Sequence, residues 1–352
     1  MPSHLPSPRV PDSLDAPPLR WGVLGTGWIA RTFVAALRAS TRQVVQAVGS
    51  RSPESARRAA DAFGASTAHG SYEALVADPE VDIVYVATPH HVHLPHALLA
   101  IEAGKHVLVE KPVGLDAGEA RVIGEAAQRA GVFCMEAMWT LFLPRYDIVR
   151  QLLADGVVGE PKVVLADMGE WFDESHRIMR PELAGGPLLD MGTYPVTLAT
   201  WVLGAPDQVV AVGTPAPNGI NGQLTMGLGT ASGATASLMV TMLSDTPSTA
   251  SIAGTDGRID LGWPFYRPGP VRLRLRDGTD LTWREPRVDH AALHFEAAEV
   301  ARRVTAGETG SPLRPWADTV ATLEVMDRVR EAVGFDFAVA RAARDSDTDS
   351  GG

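Results

Sequence analysis

The segment Gly25-Thr26-Gly27-Trp28-Ile29-Ala30 has the residue types needed to hold a phosphate-bearing ligand. In this G-x-G-x-x-A pattern the first glycine permits a tight turn and the second lets main chain approach a pyrophosphate. The alanine lets the following helix pack closely on the preceding strand, and that helix offers its N-terminal N–H groups to the anion. Where strand, turn and helix follow in that order, the arrangement is a dinucleotide site. A second strand ends at Gly49-Ser50-Arg51-Ser52, with no carboxylate to bind a ribose 2′-hydroxyl. Arg51 and the two serines could hold a 2′-phosphate instead, which favours NADP over NAD. Two further segments, Val86-Ala87-Thr88-Pro89-His90-His91-Val92-His93 and Glu110-Lys111-Pro112, stand at the ends of later strands. Open α/β sheets bind ligands at the carboxyl ends of their strands, so Lys111 can face a nicotinamide ring.

The elements that must position these residues are legible as short apolar runs at 21–24, 44–48, 81–87, 106–109 and 132–135, separated by amphipathic segments. The runs do not alternate, so they read as strands buried on both faces of a doubly wound parallel sheet. Helix ends agree with that reading. Ser52 can cap before Pro53, Ser71 can cap the next helix, Asp116 with Glu119 forms a capping-box pattern, and Gly104 suits a helix C-terminus. After Gly159, strand-like runs at 162–168, 208–213, 224–228, 234–242, 249–253 and 271–275 follow one another, which predicts a mostly antiparallel sheet. Helical patterns at 188–202, 290–304 and 315–332 would cover one face of it. The expected organisation is a flexible Pro-rich arm at 1–18, a dinucleotide-binding Rossmann domain at 19–138, an α+β domain for substrate binding and oligomerisation at 139–340, and a disordered tail at 341–352.

With 352 residues the chain has room for two cores, and 45% hydrophobic with 21% charged residues suits a folded protein. The formal net charge of −11 argues against nucleic acid or an anionic membrane as the main partner. A single cysteine, Cys134, excludes an intrachain disulfide and a cysteine-based metal site. No apolar stretch approaches the roughly 18 residues of a membrane span, and no secretory signal pattern opens the chain, so cytoplasm is the expected compartment. The histidines at 90, 91, 93 and 96 cluster at a strand-to-helix passage without an acidic or cysteine partner nearby. They are expected to serve the loop or face substrate, with no metal assigned.

Taken with the glycine turn, the 86–93 segment and Glu110-Lys111-Pro112 resemble the Gfo/Idh/MocA family of oxidoreductases over nearly the whole chain. Met135-Glu136-Ala137-Met138-Trp139-Thr140 and Gly185-Gly186-Pro187-Leu188-Leu189-Asp190-Met191-Gly192-Thr193-Tyr194-Pro195 are similar to the dihydrodiol and NADP-dependent D-xylose dehydrogenase branch. The resemblance implies that Lys111 works beside the cofactor and that His93 lies near it. It also implies that Tyr194 stands where many members carry a proton-transferring histidine. Gly25, Thr26, Gly27, Trp28, Ile29, Ser50, Arg51, Ser52, Thr88, Pro89, His93, Glu110 and Lys111 are the expected cofactor residues. Lys111, Tyr194 and Asp190 are the expected catalytic set.

Asp190 and Tyr194 are four residues apart and share a face if the segment is helical. Hydride leaves an alcohol carbon only if the hydroxyl proton also leaves, so a tunable acceptor must sit there. Tyr194, with an ordinary pKa of ~10, could be that group if cationic neighbours favour phenolate, or Lys111 could accept the proton itself. Trp139, Phe172 and His176 are expected along the substrate pocket, and Arg177 and Arg180 could meet a polar substrate. The preferred function is an NADP-dependent oxidoreductase acting on a sugar or vicinal diol, as a homodimer or dimer of dimers. A glycosidase working by transient oxidation and a non-enzymatic cofactor sensor are the competing readings.

Overall fold

The computed structural model describes residues 4–216, 218, 220–285 and 288–349. Its first sheet consists of β1 (Arg20–Leu24), β2 (Val44–Gly49), β3 (Thr67–His69), β4 (Ile83–Val86), β5 (His106–Glu110) and β6 (Cys134–Ala137). They run in the order β3-β2-β1-β4-β5-β6, all parallel. Strand order reverses between β1 and β4, and this switch point is where such sheets open a ligand crevice. Helices α1 (Trp28–Ser40), α2 (Pro53–Phe63), α3 (Tyr72–Val76), α4 (His93–Glu102) and α5 (Ala117–Ala130) connect the strands. Their ends follow the local chemistry. Ser52 and Ser71 accept from Ser55 N and Ala74 N, Asp116 accepts from Glu119 N, and Gly104 takes the left-handed conformation that closes α4.

After α6 (Pro144–Ala154) the chain builds a second sheet from β7 (Pro161–Gly169), β8 (Gln208–Pro215), β9 (Asn221–Gly229), β10 (Thr235–Thr241), β11 (Ala250–Gly254), β12 (Gly257–Leu261), β13 (Val271–Leu275) and β14 (Asp280–Trp283). Its order is β14-β13-β12-β11-β7-β10-β9-β8. Every pairing is antiparallel except that of β7 with β10. Helices α7 (Thr193–Leu203) and α9 (Trp316–Val333) lie on one face, and α9 also packs against α5, joining the two halves. On the opposite face Leu165, Val210 and Val212 stand 48%, 66% and 74% exposed.

Three expectations are corrected. Helix α8 (His294–Thr305) was expected over the second sheet, but with the 3-10 turn Asp289–Leu293 it packs against α1, because its buried face of Ala297, Ala298 and Ala301 is small enough for close helix approach. The arm expected to be flexible is docked over its described part, 4–18. Arg9 N donates to Asp147 Oδ2 at 2.7 Å, Gln151 Nε2 to Ser7 O at 2.9 Å, and Ser13 Oγ meets His294 Nδ1 at 2.8 Å. Its prolines stiffen an extended path whose polar groups α6 and α8 satisfy. The tail expected to be disordered forms α10 (Ala338–Asp349), held by Arg341 on Asp116 and Arg344 on Glu119. Residues 1–3 of the arm and 350–352 of the tail lie outside the described residues.

Candidate active site

Leu24 of β1 pairs with Val86 of β4, so the turn after β1 lies against the segment after β4. Gly25 has φ 103°, and a Cβ there would stand 2.7 Å from the Ala87 carbonyl oxygen, which makes glycine obligatory. Gly27 caps α1 without any side-chain hydrogen bond, and a Cβ on it would meet nothing within 4 Å. The first-turn N–H groups of α1 therefore open onto free space, a cradle that fits a pyrophosphate. Ser50, Arg51 and Ser52 follow β2 at the same edge. Ser52 Oγ is committed to Ser55 N at 3.3 Å, and its own N–H reaches Ser50 Oγ at 3.4 Å.

Thr88, His93 and Pro112 make one braced wall. The His93 ring, fully buried, places Nδ1 2.8 Å from Pro112 O and Nε2 2.7 Å from Thr88 O, while Thr88 Oγ1 meets His96 Nδ1 at 2.9 Å. Both His93 ring nitrogens are thus engaged in bracing this wall. Pro89 is exposed at the rim. Glu110 is buried, accepts from the Tyr85 hydroxyl, and takes the Lys111 N–H at 3.1 Å.

Lys111 brings the two sheets' elements together. Its Nζ donates to the Asp190 carbonyl oxygen at 2.8 Å, lies 4.0 Å from Asp190 Oδ1, and stands 5.2 Å from the centre of the Tyr194 ring. Asp190 sits in a π-helical turn, Leu188–Gly192, that runs into α7, the kind of local widening that recurs at functional sites. Its carboxylate takes Arg177 Nη2 at 2.5 Å and lies 3.6 Å from His90 Nε2. Burial works against charge on Asp190, but His90, Arg177 and Lys111 together hold its pKa well below the ordinary carboxylate value. For Lys111 the balance goes the other way: burial lowers its pKa despite the opposing pull of Asp190 and Glu110. Burial likewise pushes the Tyr194 phenol well above 10, although the Trp139 indole N–H, donating to its oxygen at 3.1 Å, favours the phenolate.

An aromatic wall extends from the glycine turn to Tyr194. The 64% exposed ring of Trp28 meets His290 edge-on at 4.9 Å, His290 stacks on Trp139 at 5.3 Å, and Tyr194 lies 4.7 Å from Tyr266. Burial lowers His290 to a pKa of about 4, so it packs as a neutral ring near pH 7. The segment 262–270 that presents Tyr266 is gripped by the fully buried Arg145, whose two Nη atoms reach the carbonyls of Gly262, Pro264, Arg267 and Pro270 at 3.2, 3.0, 2.6 and 2.9 Å.

Two family models match the chain: the oxidoreductase family's NAD-binding Rossmann fold over residues 19–138 and the GFO/IDH/MocA C-terminal domain over 146–260. The mouse trans-1,2-dihydrobenzene-1,2-diol dehydrogenase (Mus musculus) is 34% identical over 91% of this chain and 98% of its own length. The chain belongs to the Gfo/Idh/MocA oxidoreductase family. It is an NAD(P)-dependent oxidoreductase acting on CH–OH groups, as the dehydrogenases and reductases among its relatives are. The zebrafish diol dehydrogenase (Danio rerio) is 35% identical over the same shares. Among solved structures, KijD10, a 3-ketoreductase from Actinomadura kijaniata in complex with NADP and TDP-benzene, is 30% identical, with TM-score 0.79 over 90% of this chain and 98% of its own. A levoglucosan dehydrogenase in complex with NADH and levoglucosan has TM-score 0.81 over 90% of this chain and 97% of its own, and at 20% identity it shows the shared fold.

Of the residues read from sequence in this Gfo/Idh/MocA chain, the structure gathers Lys111, Asp190, Tyr194 and Trp139 into one cluster. Phe172 and His176 stack on each other at 4.5 Å, and His176 Nδ1 accepts from Ile178 N at 3.2 Å. Among the described residues they connect to that cluster through the next residue, Arg177. Arg180 pairs with Glu182 at 2.8 Å. His90, expected with its neighbouring histidines to serve the loop or face substrate, stands 3.6 Å from Asp190 Oδ1, whereas Tyr266, Arg267 and His290 were not assigned a place beforehand. The aromatic run inside the Pro/Gly-rich stretch 264–270 was the one local signal for Tyr266; His290 had none.

Proposed function

We propose that this enzyme is an NADP-preferring dehydrogenase or reductase of a sugar-like or vicinal-diol substrate, with Lys111, Tyr194 and Asp190 at its polar end. The observation that carries the reading is the meeting of Lys111 Nζ with Asp190 and the Tyr194 ring, at the carboxyl edge of the sheet whose glycine turn is open. When bound, the nicotinamide supplies the hydride acceptor or donor. The residues supply the proton path. Lys111, with its lowered pKa, is the group that changes charge, while the Tyr194 phenol stays protonated and bonds the substrate oxygen. Asp190, held ionised, orients Lys111. The aromatic wall of Trp139, Tyr266 and Tyr194 suits the C–H faces of a ring. A screen of aldoses, anhydrosugars, diols and keto sugars, each followed by NADPH absorbance, tests the assignment; turnover of none of them would sink it.

NADP preference rests on Ser50-Arg51-Ser52 and the absence of a carboxylate at 49–52. Arg51 stands beside the N-terminus of α2, so a phosphate there gains both the guanidinium and main-chain N–H groups. Arg51→Asp should weaken NADPH by about 10- to 100-fold and spare NADH, since a hydrogen-bonded charge is worth roughly 1.5–3 kcal/mol. Fluorescence titration of both cofactors checks it, and a wild-type protein that binds NADH more tightly would refute the preference.

The exposed face of the second sheet bears on assembly. Leu165, Val210 and Val212 present an apolar patch opposite the helices, and a broad sheet face of that kind calls for cover. A second copy of the chain is the proposed occupant, giving a homodimer or a dimer of dimers. Light scattering at micromolar concentration should report at least twice 37.4 kDa; a monomer would count against it.

A further inference from the structure

The carboxylate of Asp190 is gripped from two sides by segments distant in sequence, His90 from the 3-10 turn His90–Val92 and Arg177 from the turn Arg177–Met179. The second of these packs on a further turn, Pro181–Leu183, which in turn packs on the first. Helix α10 lies across both the Pro181–Leu183 and the His90–Val92 turns. Its root is buried at Phe337 and Ala340, with the Arg330 guanidinium 5.9 Å from the Phe337 ring centre. Further along, Arg341 pairs with Asp116, and Arg344 Nη1 donates to Glu119 Oε1 at 2.6 Å. Asp116 and Glu119 are the residues that start α5. Asp116 accepts from Glu119 N at 2.8 Å, and Glu119 Oε2 accepts from Leu115 N at 2.8 Å. That helix begins the chain's path away from Lys111. One terminal helix is thereby tied to all three segments that meet at Asp190.

We propose that α10 is a clasp that fixes the two grips on Asp190, with Arg341 and Arg344 as positioning residues that set how well the substrate end of the site is formed. Neither arginine reaches Asp190 or Lys111, so each acts through the turns beneath the helix. The Arg344 side chain is 16% exposed and that of Glu119 8%, so the pair is only partly screened by salt and can hold a short terminal helix that propensity alone would not. Without the clasp the turns at 90–92 and 177–183 lose the cover of α10 and keep their contacts with each other, with α4 and with Asp190, and ordering them fully becomes a cost that substrate binding must meet.

The kinetic part of this inference rests on the proposed function; the structural part does not. The test compares the full-length wild type with Arg341→Ala/Arg344→Ala and with Arg341→Lys/Arg344→Lys, first by hydrogen exchange without any ligand. The alanine pair should speed exchange at 90–93 and 177–186 by about tenfold or more, leave β1, β4 and β5 unchanged, and be largely rescued by the lysine pair. Unchanged exchange in those two segments, or an equal rise across the whole molecule, overturns the clasp. A chain ended after Phe337 should reproduce the alanine pair's exchange pattern. With a substrate found in the screen, the alanine pair should raise its KM roughly fivefold to twentyfold, with kcat and NADPH affinity within about twofold. High salt should raise the wild-type KM and leave the variant's unaffected; equal KM values for both proteins refute the positioning role. If no substrate is turned over by wild type, the functional reading fails while the exchange result still decides the clasp.

Discussion

Lys111→Met should lower kcat/KM by about 10³-fold or more while leaving NADPH affinity within a few-fold, because the side chain does its work at the reacting oxygen rather than at the phosphates. Methionine keeps the length and apolar stem of lysine and removes only the ammonium. In the structure that ammonium touches the Asp190 carbonyl and lies over the Tyr194 ring, both at the proposed substrate end. The pH dependence follows from the direction of its shift. Burial lowers the Lys111 pKa below 10.5, so alcohol oxidation, which needs the neutral amine, should rise with pH through that lowered value and then level off. Carbonyl reduction needs the ammonium and should fall over the same range. In Lys111→Met the residual rate should lose that titration in both directions. A variant that retains the wild-type rate, or the wild-type pH profile, would remove Lys111 from the chemistry even though the family assignment would stand.

Tyr194→Phe is expected to cost about 10²- to 10³-fold in kcat with little change in cofactor affinity. The ring and its packing against Tyr266 survive, and what disappears is the hydroxyl that receives the Trp139 N–H at 3.1 Å. Because burial holds the phenol well above 10, its contribution near neutral pH is as a donor to the substrate oxygen. The acid limb of the pH profile should therefore remain that of Lys111. Tyr194→His sharpens the test. An imidazole in a pocket that depresses His290 to about 4 will titrate low, so partial activity with the optimum moved to lower pH is the expected outcome. Full activity in the phenylalanine variant would show that the hydroxyl is dispensable and that Trp139 and Lys111 suffice.

The parallel sheet was legible because its strands are unbroken apolar runs, each followed by helix-start chemistry such as Ser52-Pro53 or Asp116. β3 was missed: Thr67–His69 is three residues of partly buried mixed polarity, and only its pairing to β2 makes it a strand. The same holds for β12 and β14, whose alternating Arg258, Asp260, Asp280 and Thr282 read as loop until the sheet supplies their partners. Lys111, Asp190 and Tyr194 could be proposed from motif and spacing, since the carboxyl edge of the sheet is fixed by topology. Tyr266 and His290 could not. Their approach to Tyr194 and Trp139 depends on contacts across 72 and 151 residues of sequence, set by the path of the chain between them. The proline-rich arm shows the converse error, in which composition alone suggested mobility while Asp147, Gln151 and His294 supplied partners that only the fold brings near.

Arg145 holds the segment 262–270 entirely by carbonyl oxygens, a part of the chain that every amino acid shares. The Arg145 anchor is thus independent of which side chains the loop carries. Tyr266 and Arg267 can be exchanged for other residues without the loop losing its Arg145 anchor, although a replacement at 266 must refill the buried space beside Tyr194 and Phe265. Loss of the guanidinium strands buried acceptors all at once and has no comparably mild route. The scaffold in this way fixes the loop through its main chain, with Thr140 and Tyr146 adding bonds to the carbonyls of Tyr266 and Phe265, which makes positions 266 and 267 natural starting points for directed evolution of this enzyme.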